Sequence, residues 1–259
     1  MTEPLVRYES RPPAVLLTLN RPDKRNAISR NLIAALIGAV ERARDDAAAR
    51  CVLLTGSGPA FCAGMDLAEL SATIDADQAT VWSDAVNLAR LFDLIYTLPK
   101  PTIAVVNGAA VAGGAGLVSV CDLALAVPEA KFGYPEVRRG LVAAMVMPHL
   151  LRHVGERMAR WLLLTGELID AAAAERAGLI NAVVPADQLM STAESWARSL
   201  AEGGPQALAT SKDLLRRFSQ QAMSVEEAAR ASAEPRLNEE CRAGLRAFFE
   251  KRPAPWTHT

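Results

Sequence analysis

The sequence predicts an α/β layer fold with a helical C-terminal region, and three observations carry that expectation. Short, continuously apolar runs alternate with segments of helical periodicity, the pattern of strands covered on both faces by helices. Near residue 190 the strand-like runs stop and the chain becomes rich in Ala, Arg and Glu. A length of 259 residues, 51% of them apolar and 22% charged, is enough for one large core with an appendage.

The elements follow in order. "AVLLTL" (14–19), "CVLLTG" (51–56), "TIAVVN" (102–107), "LALAV" (123–127) and "NAVVP" (181–185) read as buried strands. Ser29 is placed to cap a helix in which Leu32, Leu36, Ala39 and Ala43 share one face. Val81, Ala85, Leu88, Phe92 and Ile95 mark a second helix, stopped by Pro99, and "GERMARWLLLTG" a third. Asp170 caps a short "AAAAERA" helix that Gly178 terminates. This organisation divides the chain into an α/β core, 1–190, and a helical region, 191–259, broken at Gly203–Pro205 and Pro235. "RAGLRAFFEKR" is too aromatic to stand free in solvent and is expected to pack on the core or on another subunit.

Several classes are excluded. A net charge of −1 offers no global field for nucleic acid or anionic membrane, so an anionic ligand needs a local set of donors. The N-terminus lacks the basic start and apolar run of a secretory signal, and Cys51, Cys62, Cys121 and Cys241 are irregularly spaced. The reading is a cytoplasmic protein with reduced thiols, without disulfide or metal. "HLLRH", with His149 and His153 one turn apart, lacks the glutamate and third ligand of a zinc helix. From Pro101 to Cys121 no side chain is charged, yet "NGAA" and four glycines interrupt the run, so a strand, a loop and a buried helix fit better than a membrane span.

Glycine-rich segments are the candidate sites. "GSGPAF" (56–61) puts Phe61 at the third glycine of a dinucleotide fingerprint, and "GAAVAGGA" (108–115) lacks the lysine and hydroxyl of a phosphate loop. Backbone N–H groups remain. "PAFCAGMDLAEL" (59–70) and "AGGAGLVSVC" (112–121) are both glycine-to-helix junctions, where the first N–H groups have no internal acceptor. Two such junctions could aim one N–H each at a single oxygen. The same glycines would equally serve close helix–strand packing.

"LNRPDKRNAIS" (19–29), "GPAFCAGMDL" (58–67), "VNGAAVAGGAGLVSVCD" (106–122), "FGYPEV" (132–137) and "LLLTGELIDAAAAERAGLINAVVP" (162–185) resemble, in order and spacing, the enoyl-CoA hydratase/isomerase (crotonase) family over nearly the whole chain. The resemblance implies a crotonase-like (ClpP/crotonase) spiral of ββα units, a C-terminal helical trimerisation region, and acyl-CoA thioester substrates. It also implies homotrimers, or hexamers made of two trimers. Coenzyme A would enter as part of the substrate, with no separate cofactor. Carried over by position, the oxyanion donors are the N–H groups of Met65 and Gly113, with Ala112 replacing the first residue of the usual triple glycine. The coenzyme A moiety would run along Lys24, Arg25, Ala27, Ala63, Asp66 and Leu67, with Arg25 and Lys251 as phosphate partners.

Family hydratases use two glutamates. At the first position this chain has Gly116, with Ala115 and Leu117 beside it; at the second it keeps Glu136. The segment that follows, "RRGLVAAMVMPHLL" (138–151), is bulky and apolar where family hydratases are rich in glycine. The resemblance therefore implies Δ3,Δ2-enoyl-CoA isomerisation, or a related enolate-forming step, with Glu136 as sole acid/base. The alternatives are a single-glutamate hydratase or lyase, with Tyr134 as the nearest pocket hydroxyl, and a non-catalytic acyl-CoA binder. The acyl pocket is expected from 71–98 and 138–150, with Trp82, Met145 and Met147 as apolar lining.

Overall fold

The computed structural model describes residues 3–218, 224–237 and 239–253. The chain opens with β1 (Val6–Arg11) and β2 (Ala14–Leu19), a 3-10 turn at Pro22–Lys24, and α1 (Arg30–Asp45). Then come β3 (Cys51–Gly56), β4 (Ala60–Cys62), α2 (Leu67–Ala72) and α3 (Gln78–Thr97), followed by β5 (Thr102–Val106), β6 (Ala109–Val111) and α4 (Gly113–Val120). Next are β7 (Leu123–Ala126), β8 (Lys131–Gly133), a 3-10 turn at Pro135–Arg139, α5 (Met147–Thr165), β9 (Ile169–Asp170), α6 (Ala171–Arg176) and β10 (Ala182–Val183). Helices α7 (Leu189–Glu202), α8 (Pro205–Phe218), α9 (Val225–Ala233) and α10 (Glu239–Phe249) finish the chain, with a 3-10 turn at Glu234–Leu237.

Two sheets share these strands. The larger runs β1-β2-β3-β5-β7-β10, parallel except for the antiparallel β1–β2 pair; the smaller runs β4-β6-β8-β9, with only β9 antiparallel. Successive strands alternate between them: β3, β5 and β7 enter the large sheet, and β4, β6 and β8 the small one. A chain that adds one strand to each sheet per turn, then returns through a helix, is a spiral of ββα units. Strands β2, β3 and β5 are buried at every position, which is why their apolar runs show no alternation.

The predicted caps are present: Ser29 Oγ accepts from the Leu32 N–H at 3.2 Å and Asp170 Oδ1 from the Ala173 N–H at 2.8 Å. The uncharged run 101–121 resolves into β5, β6 and α4, and no helix among the described residues is long and apolar enough to cross a membrane. Two features differ from the sequence reading, and the packing of the tail helix agrees with it. The small sheet and β1 were not anticipated, because two- and three-residue strands carry no periodic signal and the six residues of β1, VRYESR, are mostly polar. Helix α5 begins eight residues before Gly155, which breaks its backbone at φ 68°. Tail helix α10 packs on the core: Cys241 and Leu245 close over Leu70, with Phe249 and Leu141 at the edge.

Candidate active site

The site forms where two glycine-to-helix junctions meet. The chain after Pro22–Lys24 is held by Asn26, fully buried, whose Nδ2 donates to Ser57 O at 2.9 Å and Ala60 O at 2.8 Å while its Oδ1 accepts from the Arg21 N–H at 2.9 Å. Ile28 N–H donates to Gly64 O at 2.7 Å and Asp66 N–H to Ile28 O at 2.9 Å, which fixes Met65 between them. A Cβ on Gly64 would lie 3.6 Å from Gly113 N and 3.0 Å from Val111 O, so the two junctions are in near contact. Met65 N–H and Gly113 N–H donate to no described residue. Gly113 is the first residue of α4, where an N–H lacks an internal acceptor and the helix dipole favours negative charge.

The neighbouring glycines have separate duties. Any side chain on Gly114 would run into Cys62 O, and any on Gly108 into Pro59 O, so both exist to let chain approach chain. A Cβ on Gly116 would collide with Val146 and stand 3.0 Å from Phe92 Cζ. The space that a glutamate would occupy at this position is packed with hydrocarbon.

Met65 and Gly113 line one cavity of about 470 Å³ together with Glu136. Pro135 starts the 3-10 turn that carries Glu136 into it. The carboxyl is half-buried, its Oε2 fully so, with no hydrogen-bond partner among the described residues. Burial pushes its pKa up to about 7, against the opposing pull of its own backbone N–H and the Arg139 guanidinium. Such a group can take a proton and give it back near neutral pH, while two N–H groups on the wall of the same cavity can hold a developing oxyanion if both point at it.

At the mouth, Lys24, Arg25, Ala27, Ala63, Asp66 and Leu67 all line the same cavity. The Asp66 carboxylate is already committed: it pairs with Arg21 at 2.8 Å and caps α2 by accepting from the Ala68 N–H at 3.0 Å. Lys251 is exposed, in a left-handed turn just beyond α10, and does not line the cavity of its own chain. The inner wall comes from Leu88 and Phe92 of α3 and from the 141–146 segment, including Met145, while Trp82 and Met147 are not part of it. Tyr134 is not a pocket hydroxyl: it is 0% exposed, donates to Ala115 O at 3.3 Å and is absent from the cavity wall. His149 stacks edge-on against Tyr96 at 4.5 Å, and the His153 ring bonds to Ser119 O at 2.9 Å, so both are spent on packing. No group of three His, Cys, Asp or Glu side chains suited to a metal occurs among the described residues. Arg139 falls in the 138–150 wall expected from the sequence, whereas Ser232, Arg236 and Phe248 of the tail also line the cavity and were missed. Nothing in the helical periodicity of the tail marks which of its residues turn inward.

The spiral of ββα units, with its site at the meeting of two glycine junctions, defines a crotonase-fold protein. Solved structures agree. An enoyl-CoA hydratase from Mycobacterium avium superposes with a TM-score of 0.85 at 35% identity, covering 99% of this chain and all of that one. A crotonase-type enoyl-CoA hydratase/isomerase homologue from Legionella pneumophila gives a TM-score of 0.80 at 32% identity, covering 99% of this chain and 100% of that one. Residues 13–259 match the profile described as enoyl-CoA hydratase/isomerase, and the chain belongs to that family. Among its relatives, a candidate enoyl-CoA hydratase of Thermus thermophilus is 42% identical, with 91% of this chain and 94% of that protein aligned. The 2,3-dehydroadipyl-CoA hydratase of Escherichia coli is 34% identical over 97% of both.

Proposed function

We propose that the protein moves a proton at the carbon next to an acyl-CoA thioester, and that its reaction is Δ3,Δ2-enoyl-CoA isomerisation with Glu136 as the only acid/base. One observation carries this reading: among the described residues lining the cavity, Glu136 offers a carboxylate whose Oε2 is buried without a partner, while the space beside Gly116 is filled by Val146 and Phe92. The thioester oxygen accepts from the Met65 and Gly113 N–H groups. Glu136 removes a proton from C2 of the 3-enoyl-CoA, and the electrons of that C–H bond pass into a dienolate. The same carboxyl returns the proton at C4, leaving the 2-enoyl-CoA with no water consumed. Losing one backbone donor of this kind typically costs about 3–4 kcal/mol of barrier.

A second reading, hydration by the same carboxylate, is favoured by the names of the relatives, most of which are hydratases. The two are separated by incubating a 3-enoyl-CoA and a 2-enoyl-CoA in heavy water and following mass and double-bond position. Isomerisation moves the bond without adding water, with deuterium taken up to the extent that the Glu136 proton exchanges with solvent; hydration adds water to the 2-enoyl-CoA. A Glu136→Gln protein that isomerised at the wild-type rate would exclude the assigned role, and a wild-type protein that bound thioesters with no bond movement, hydration or exchange would leave only an acyl-CoA binder.

A further inference from the structure

One cation in the cavity wall has no part in the mechanism above. Arg236, on the 3-10 turn Glu234–Leu237, lines the cavity although it is only 6% exposed. Its Nη2 donates to Ser232 Oγ at 3.4 Å, a long contact, while Nε and Nη1 are buried without an acceptor among the described residues. Asp84 on α3 is close enough to favour the charge, but both of its oxygens are already held by Arg30, at 2.6 and 2.7 Å. A guanidinium stays protonated even when burial disfavours it, and its five donors form a fork that fits a carboxylate.

A second guanidinium reaches the same cavity from a different element. Arg139 is half-buried, lies 4.3 Å over the Phe248 ring, and donates from Nη1 to Pro135 O at 3.4 Å, with its Nε buried and unpartnered. The same cavity is also lined by hydrocarbon from Leu88, Phe92, Leu141, Val142, Met145 and Val146. A cavity meant for a plain alkyl chain has no use for buried, unfilled guanidinium donors.

We infer that the acyl group carries a carboxylate at the end remote from the thioester, and that Arg236 receives it. The substrate class is then the coenzyme A monothioesters of dicarboxylic acids. This rests on the acyl-CoA reading above. Arg139, beside Glu136, supplies a second positive charge to the same chamber and keeps the incoming anion from raising the Glu136 pKa further.

The test compares the full-length protein's affinity for three probes by calorimetry: hexanoyl-CoA, the adipic-acid monothioester of the same length, and free coenzyme A. All three are inert, so the result does not depend on which reaction is catalysed. Wild type is expected to prefer adipyl-CoA over hexanoyl-CoA by at least about tenfold. In Arg236→Met that ratio falls to about one, and Arg236→Lys, which keeps the charge without the fork, lies between. Wild-type protein that binds hexanoyl-CoA as tightly as adipyl-CoA overturns the inference alone, and needs no variant to fold. An Arg236→Met protein that keeps the preference, or that loses free coenzyme A as strongly as adipyl-CoA, also overturns it; the second result would assign the arginine to the nucleotide. Failure to bind any of the three overturns the acyl-CoA reading together with the inference.

Discussion

Val146 occupies the space that a side chain on Gly116 would need, and Phe92 Cζ stands 3.0 Å from the same point. Overpacking of a core costs about 1–3 kcal/mol, more than the roughly 1 kcal/mol that alanine gains over glycine in a helix. Gly116→Ala is therefore expected to destabilise the protein in urea melts. Val146→Ala should be partly compensated by Gly116→Ala, giving a coupling of about 1 kcal/mol between the two. A stabilised Gly116→Ala single variant would refute the packing. By the same reasoning, Gly116→Glu alone will not install a second catalytic carboxylate.

The raised pKa of Glu136 makes a prediction of definite sign. A base must be ionised, so kcat/KM should fall about tenfold per pH unit below about 7. Stability runs the other way. A carboxyl raised from 4.5 to about 7 on folding contributes stability that is fully present below 4.5 and lost as pH rises through about 7. Glu136→Gln should accordingly be more stable than wild type above pH 7, with the gap closing as pH falls toward 4.5. Parallel denaturation curves at every pH would show that the carboxyl is not buried as described.

Ala112 holds φ 53° and ψ −126°, outside the regions comfortable for a residue with a Cβ, immediately before the Gly113 N–H. Ala112→Gly is expected to stabilise the protein by about 1 kcal/mol, because glycine adopts this backbone without steric cost. The check is the urea midpoint at constant m-value; a lower midpoint would mean that the alanine methyl contributes more by packing than it costs in strain.

Helix α5 leaves Trp161 and Leu164 exposed, the latter at 67%, one turn apart, with Leu168 just beyond the helix also exposed. Residues at this spacing share a face, and we propose that this apolar patch is an interface between copies of the chain. Light scattering is expected to give a mass of three or six chains for wild type. Leu164→Glu should lower that mass; a monomeric wild-type protein would remove the basis for the interface.

Much of the fold was legible before the structure. The five long strand-like runs lie where β2, β3, β5, β7 and β10 form, although the last shrinks to Ala182–Val183. The Ser29 and Asp170 caps are local hydrogen bonds, readable from residue type and position. Met65, Gly113 and Glu136 were named from the family resemblance of their short motifs, and the fold brings all three to the wall of one cavity.

What the amino-acid order determined by itself was thus whatever depends on neighbours in the chain: apolar runs long enough to be buried, glycine where backbone meets backbone, proline before Glu136. Tertiary structure decided the rest, because those features depend on residues far apart. The three-residue strands β4, β6 and β8 exist only by pairing with one another. The first glutamate position, at Gly116, is closed by Val146, thirty residues later in the chain, and by Phe92 from α3. Arg236 is an ordinary surface-type residue in its local sequence and becomes a buried cation only when the 3-10 turn before α10 folds back over the cavity. Local order specifies which groups are present; the packing of distant segments removes water from some of them, and that removal sets their chemistry.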